Sequence, residues 1–294
     1  MKTILLSLAL ITPIFAVEPT TDVGAAKVAA KIDLSQYKMT FQDEFEGDKL
    51  DLSKWEAPSM PRQGGSRWMP NLVSVKDGCL RLDIRLTDDP VLRYDCGAVR
   101  TQRNYDKNQT MFAQKFGYFE ARCKLPKHID CDYFADFWML AGNISEKSNT
   151  AEGTEIDIFE SFELAKGRQH SVNFHWGGYD KMHNSYGLKC GELSQLRDDE
   201  FHTYGLLWTD KIYASYIDGV EVGRTDMMNL GTDKDGKLKS NGTCKFPAYL
   251  KLTVEAAAWP GKSNGWEAEM PKEDVFIIDW VRAYLPKTAA ELAQ

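Results

Sequence analysis

Hydrophobicity that alternates residue by residue limits this chain more than any other feature. In Gly117-Tyr-Phe-Glu-Ala-Arg-Cys-Lys-Leu125, Phe119, Ala121, Cys123 and Leu125 fall on one face, and Glu120, Arg122 and Lys124 on the other. Period two marks a strand with one face on a core and the other toward water. Tyr213 to Arg224 reads as a hairpin around Asp218-Gly219, a dipeptide that accepts positive φ at low cost. Leu72 to Ile84, Thr203 to Trp208, Tyr249 to Glu255 and Val275 to Tyr284 read as further strands. Amphipathic helical periodicity is scarce. Many short strands between Gly, Asp, Asn and Pro turns predict an all-β, two-sheet antiparallel sandwich.

The ends differ from the middle. Lys2 precedes an apolar run, Ile4 to Ile11, that is too short to span a bilayer, and Thr12, Pro13 and Ala16 then break it. Residues 1–16 therefore read as a secretory signal, 17–37 as a leader, 38–286 as one domain and 287–294 as a tail. A secreted, periplasmic or cell-surface monomer without a membrane span is expected. The net charge of −7 argues against a nucleic-acid partner. None of the six cysteines forms a CxxC pair, so a zinc ribbon is not expected. An even count in an exported chain permits disulfides. Cys123/Cys131 and Cys190/Cys244 are candidate pairs, and free buried thiols are the alternative. Asn108, Asn143 and Asn241 each open a glycosylation sequon.

The segment Glu155-Ile-Asp-Ile-Phe-Glu160 concentrates acids. On a strand, Glu155 and Asp157 project from one face, and Ile156 and Ile158 from the other. Glu160 comes five residues after Glu155, so a regular strand would turn it away. One extra residue near Ile158-Phe159, a β-bulge, would return it to the same row. Carboxyls in one row repel, and at least one must hold its proton more tightly. A structural strand gains nothing from that. Retaining glycosidic cleavage requires it, because one carboxyl must be ionised and the other protonated. By itself the segment is equally readable as a solvated acidic face or a calcium site.

At this segment the sequence resembles glycoside hydrolase family 16, which carries Glu-x-Asp-x-Glu or the bulged Glu-x-Asp-x-x-Glu. The resemblance continues in order through Phe41-Gln-Asp-Glu-Phe-Glu-Gly47, Gly117 to Pro126, Phe134-Ala-Asp-Phe-Trp-Met-Leu140, Phe201-His-Thr-Tyr-Gly-Leu-Leu-Trp208 and Ile278-Asp-Trp-Val-Arg-Ala-Tyr284. It implies a concanavalin A-like β-jelly roll with a concave substrate cleft. It also implies Glu155 as nucleophile, Glu160 as general acid/base and Asp157 as the residue that hydrogen-bonds the nucleophile. No cofactor is implied for catalysis. A structural calcium on the convex face is implied, with Glu44 and Asp279 at positions where its ligands tend to lie.

Sugar rings present apolar C–H faces that aromatic side chains can support. Trp138, just upstream of the acids, is the first candidate platform. Arg67 and Trp68 lie in a Gly-rich stretch suited to ligand contact. His175 and Trp176 follow the acids by one strand length, and Trp259 and Trp266 flank a Gly/Ser/Asn loop that could close one end of the cleft. The expected partner is an oligo- or polysaccharide. Laminarinases of the family carry Asn-Asn-Glu and Gln-Tyr-Tyr-Thr where this chain has Gly64-Gly-Ser-Arg-Trp-Met-Pro-Asn71. They carry Trp-Pro where it has Asn149-Thr-Ala-Glu-Gly-Thr154. These departures favour internal β-galactosidic linkages, in galactans or in keratan- or mucin-type chains, over β-1,3-glucan. A non-catalytic carbohydrate-binding jelly roll and a calcium-dependent adhesive module are the readings from other classes.

Overall fold

The computed structural model describes residues 31–62, 65–103, 109–127, 133–141, 144, 152–161, 171–190, 199–228, 230–232, 242–256 and 272–292. The strands in chain order are β1 (Tyr37–Asp43), β2 (Met60–Pro61), β3 (Ser66–Trp68), β4 (Val73–Lys76), β5 (Cys79–Leu86), β6 (Tyr94–Cys96), β7 (Ala98–Arg100), β8 (Gln102–Arg103), β9 (Gln109–Thr110) and β10 (Gly117–Lys124). They continue with β11 (Tyr133–Ala141), β12 (Glu155–Glu160), β13 (Ser171–Trp176), β14 (Asn184–Leu188), β15 (His202–Trp208), β16 (Tyr213–Ile217), β17 (Val220–Thr225), β18 (Ala248–Ala256) and β19 (Glu273–Pro286). One short helix, α1 (Ala289–Leu292), closes the described chain, and Lys38 pairs with its Glu291 at 2.8 Å.

Two large sheets result. The smaller runs β14-β13-β12-β11-β18-β7, and every pairing in it is antiparallel. The larger runs β17-β16-β15-β10-β19-β5-β6-β3-β2, with β1 on β19 and β4 on β5. Its β3–β6 pair is parallel. The predicted all-β sandwich is therefore the fold. Two expectations sharpen. The Asp218-Gly219 hairpin forms, with φ of 49° and 74° at its corner. Leu72 to Ile84 is a second hairpin rather than one strand, because Asp77 and Gly78 turn with φ of 54° and 73°.

The core lies between the sheets. From the small sheet, alternate residues such as Phe137, Met139, Ile156, Phe174, Leu250 and Leu252 are fully buried. Aromatic rings join the layers: Phe159 stacks on Tyr204 at 4.2 Å between centroids, and Phe174 on Tyr213 at 4.3 Å. Gly117 is obligatory at the start of β10. Its φ is +116°, and a Cβ there would fall on the Tyr284 carbonyl oxygen.

Cys79, Cys96, Cys123, Cys190 and Cys244 are free thiols. The Cys190/Cys244 pairing is therefore corrected. Each sulfur instead sits against a nearby carbonyl, that of Leu188 or of Phe246. Cys131, the three sequon asparagines and residues 1–16 lie outside the described residues. No helix among the described residues is long and apolar enough to cross a membrane.

Phe159 anchors the small sheet to the large one through its stack on Tyr204. Phe159→Ala should cost about 3–5 kcal/mol, the usual range for emptying such a site. Urea unfolding checks this. A loss below about 1 kcal/mol would mean that the stack is not an anchor.

Candidate active site

The acid strand carries the bulge that its spacing requires. Against β11, Glu160 faces Asp136 and Phe159 faces Phe137, but the next partner of Trp138 is Asp157, so Ile158 is extra. Against β13 the register slips in the same interval, between Asp157 and Glu160. Ile158 and Phe159 both enter the core, and Glu155, Asp157 and Glu160 all line one cavity on the outer face of the small sheet. The cavity has a volume of about 710 Å³. Its floor alternates with the core on every strand: Phe134, Asp136, Trp138 and Leu140 on β11, Asn173 and His175 on β13, Lys251 and Glu255 on β18.

Each acid has a different environment. Glu155 accepts a hydrogen bond from the Tyr179 hydroxyl at 2.6 Å. Asp157 is 3% exposed and lies 3.5 Å from His175 Nε2. Burial, then the charges of Glu160 and Glu155, pushes its pKa well above the usual carboxylate range. Glu160 accepts from the Asn173 side-chain amide. Burial pushes its pKa up to about 7, and the Glu155 charge adds to the rise against the lowering effect of Asn173. His175 Nδ1 contacts His183 Nε2 at 2.9 Å, and burial lowers the ring's pKa. The row thus holds a buried, proton-retaining Glu160 and a Glu155 bound to a donor.

The predicted cleft residues divide by strand face. Trp138 and His175 line the cavity. Trp138 donates its indole N–H to Thr253 at 3.0 Å, and the Lys251 ammonium covers its ring at 3.3 Å. Trp68 also borders the cavity but is no open platform: it is 1% exposed, beneath Arg62 at 4.1 Å and Lys251 at 4.9 Å. Two assignments are corrected. Arg67, one residue from Trp68 on β3, points the other way, to Asp95 at 2.5 Å and Asp89 at 3.7 Å. Trp176, one residue from His175, is buried in the core. Neighbours on a strand cannot share a face. Trp259 and Trp266 lie outside the described residues.

Glu44 and Asp279 do not fit a calcium site. Glu44 takes a two-pronged contact from Arg282 at 2.8 and 2.9 Å, and Asp279 is engaged by Arg122. Each oxygen donor set is committed to a guanidinium. Among the described residues, the one metal-type group of side chains is Glu155, Asp157 and His175.

Sequence reasoning missed Asp136, Lys251, Glu255, Arg62, Arg100, Asn173, Tyr179 and His183 in the cavity wall. For Asp136 the signal was present, since it alternates with Trp138. Lys251 and Glu255 stand on the polar face of a recognised strand. Arg62, Tyr179 and His183 come from loops and gave none.

Comparison with known proteins places this cleft among enzymes that hydrolyse glycosidic bonds. The family model for the GH16 domain of β-porphyranases A–D matches residues 36–286, and the chain belongs to glycoside hydrolase family 16. It is 26% identical over 263 residues to β-porphyranase D of Zobellia galactanivorans, covering 83% of this chain and 59% of that protein. The chain thus spans less than two thirds of that relative's length. Among solved structures it resembles the catalytic domain of an endo-1,3-β-glucanase (laminarinase) of Thermotoga petrophila RKU-1, with a TM-score of 0.61 and 22% identity over 86% of this chain and 99% of that one. It resembles equally an endo-acting O-glycanase of the human gut microbiota that initiates mucin breakdown, with a TM-score of 0.61 and 24% identity over 90% and 96% of the chains. At such identities these structures show the β-jelly-roll fold alone.

Burial of Glu160 has a consequence for stability. Below its ordinary pKa of 4.5 the group is protonated whether folded or unfolded. Between 4.5 and about 7 the unfolded chain releases this proton and the fold retains it. Stability should therefore fall as pH rises through that window, and Asp136, Asp157 and Glu255 act in the same direction. Glu160→Gln should flatten the fall. Melting temperatures from pH 4 to 8 check this, and a slope unchanged by the substitution would disprove it.

Proposed function

We propose that this family 16 enzyme is a retaining endo-β-galactosidase. It cleaves internal β-galactosidic bonds, endo-β-1,4-galactosidase-like, in galactose-containing polysaccharide or in mucin- or keratan-type chains. The bulge carries the mechanistic part, since it puts Glu155, Asp157 and Glu160 in one cavity with Glu160 as the carboxyl that keeps its proton near neutrality. Glu155 attacks the anomeric carbon as the bond to the leaving oxygen breaks, and Glu160 gives that oxygen its proton. Glu160, now a carboxylate, takes a proton from water. The resulting hydroxide displaces Glu155, and the configuration is retained. Asp157, between them in the row, holds a proton and limits the repulsion between the two reacting carboxyls. Tyr179 fixes the nucleophile.

The substrate rests on separate support. The family model that matches is that of porphyranases, and porphyran is an algal galactan. The two segments in which the chain departs from laminarinases point the same way.

Glu155→Gln and Glu160→Gln should each lower kcat/KM by about 10²–10⁴-fold or more. In the wild type, kcat/KM should fall above about pH 7, where Glu160 loses its proton. Glu160→Gln should remove that limb. Full activity in either variant would overturn the assignment. For the substrate, wild type and Glu160→Gln are incubated with laminarin, agarose, porphyran, keratan sulfate and mucin O-glycans, and the products are analysed by mass and by anomeric NMR. Galactose-containing oligosaccharides released first as the β-anomer are expected. Release from laminarin alone would sink the galactoside reading, and initial α-products would sink retention.

A further inference from the structure

The mechanism leaves one buried carboxyl of the cavity unused. Asp136 lies on β11 directly opposite Glu160 on β12 and directly opposite Thr253 on β18. Residues so opposed carry their Cβ atoms about 4.5–5.5 Å apart. Asp136 is 4% exposed and faces the cavity. Its Oδ2 accepts the Thr253 hydroxyl at 3.1 Å, and Thr253 in turn accepts the Trp138 indole N–H at 3.0 Å. Indole can only donate and a hydroxyl has one proton, so the direction of this chain is fixed. Its Oδ1 is buried and has no hydrogen-bond partner.

The charges around the pair are unbalanced. On β12 stand Glu155 and Asp157, on β13 His175, on β18 Lys251 and Glu255, on β7 Arg100, and from the loops Arg62, Tyr179 and His183. Two of the cations are committed: Arg62 to Glu255 at 2.7 Å and Arg100 to Glu56 at 2.6 Å. Lys251 lies over the Trp138 and Trp68 rings. Asp136 makes no ion pair with any described residue. Two adjacent carboxyls without a cation cannot both ionise cheaply, and they share a proton instead.

We propose that Asp136 is a positioning residue that shares one proton with Glu160 across the β11–β12 ladder and so keeps the acid/base protonated at pH values where a lone glutamate would have lost its proton. The inference rests on Glu160 being the acid/base. When Glu160 gives its proton to the leaving oxygen, Asp136 Oδ1–H donates to the new carboxylate. When Glu160 takes a proton from water in the second step, the pair returns to its starting state. No proton is consumed. The burial that raises the affinity of Asp136 for a proton, with Glu160 as the next contributor, agrees with this division. The Thr253 bond holds Asp136 with Oδ2 occupied and leaves Oδ1 to carry the proton.

The test is Asp136→Asn, which keeps shape and the acceptor for Thr253 but cannot ionise. The expected result is a shift of the alkaline limb of kcat/KM to lower pH by about one unit or more, with KM changed less than about threefold. Asp136→Glu should restore the limb. On an aryl glycoside with a good leaving group, which needs little acid assistance, kcat of Asp136→Asn should stay near that of the wild type. A loss of activity equal at every pH, with the limb in place, would make Asp136 merely structural and overturn the proposal. Carboxyl ¹³C NMR titration of the Glu155→Gln protein gives a second reading that needs no turnover. Two mutually dependent titrations at residues 136 and 160 are expected, and independent ones would overturn the proposal. An active Glu160→Gln enzyme would instead overturn the acid/base assignment. A limb unmoved by Asp136→Asn in an enzyme that does need Glu160 would overturn this inference alone.

Discussion

The parity of one strand governs the site. A strand sends successive side chains to opposite faces, so acids five residues apart cannot share a face unless one residue is added between them. The extra residue at Ile158 supplies this. It also puts Ile158 and Phe159 side by side in the core, where Phe159 stacks on Tyr204 of the facing sheet. The bulge that aims Glu160 outward is thus held from below by aromatic packing. Strain in the ladder and burial in the core are coupled at the same two residues.

Desolvation turns that geometry into chemistry. The small sheet buries its inner face against the large one and lines its outer face with acids. The acids nearest the floor retain their protons, while Glu155 is bound to Tyr179 from the 177–183 loop. Glu160 holds its proton to about pH 7 because water is excluded from it, and Asn173 draws the value back down. Lys251 covers the Trp138 ring, and Arg62 and Lys251 cover Trp68, so these indoles shape the cavity wall instead of offering bare faces. An indole buried under a cation contributes packing and electrostatics, which is a different role from an open sugar platform.

The same parity explains the misplaced residues. Arg67 and Trp68 were read together, as were His175 and Trp176, yet each pair splits between two faces. Arg67 leaves the cavity for Asp95, and Trp176 enters the core. The calcium pair failed for another reason. Position in the chain suggested Glu44 and Asp279, but Arg282 and Arg122 stand beside them and take up their oxygens. A guanidinium contributed by a strand neighbour is invisible until the register is known.

Local patterning determined a large part of this protein. Alternation disclosed the strands, Asp218-Gly219 its hairpin, and the spacing of Glu155, Asp157 and Glu160 required a bulge, because each depends on residues adjacent in sequence. The order of motifs along the chain disclosed the family. Tertiary structure decided what depends on distant partners. It set Asp136 opposite Glu160 and Thr253, brought Lys251 over Trp138, and carried Arg62, Tyr179 and His183 from loops into the cavity. Which polar strand face becomes a cleft, and how firmly each acid there holds its proton, follow from burial by residues far away in the chain, and no local pattern encodes that.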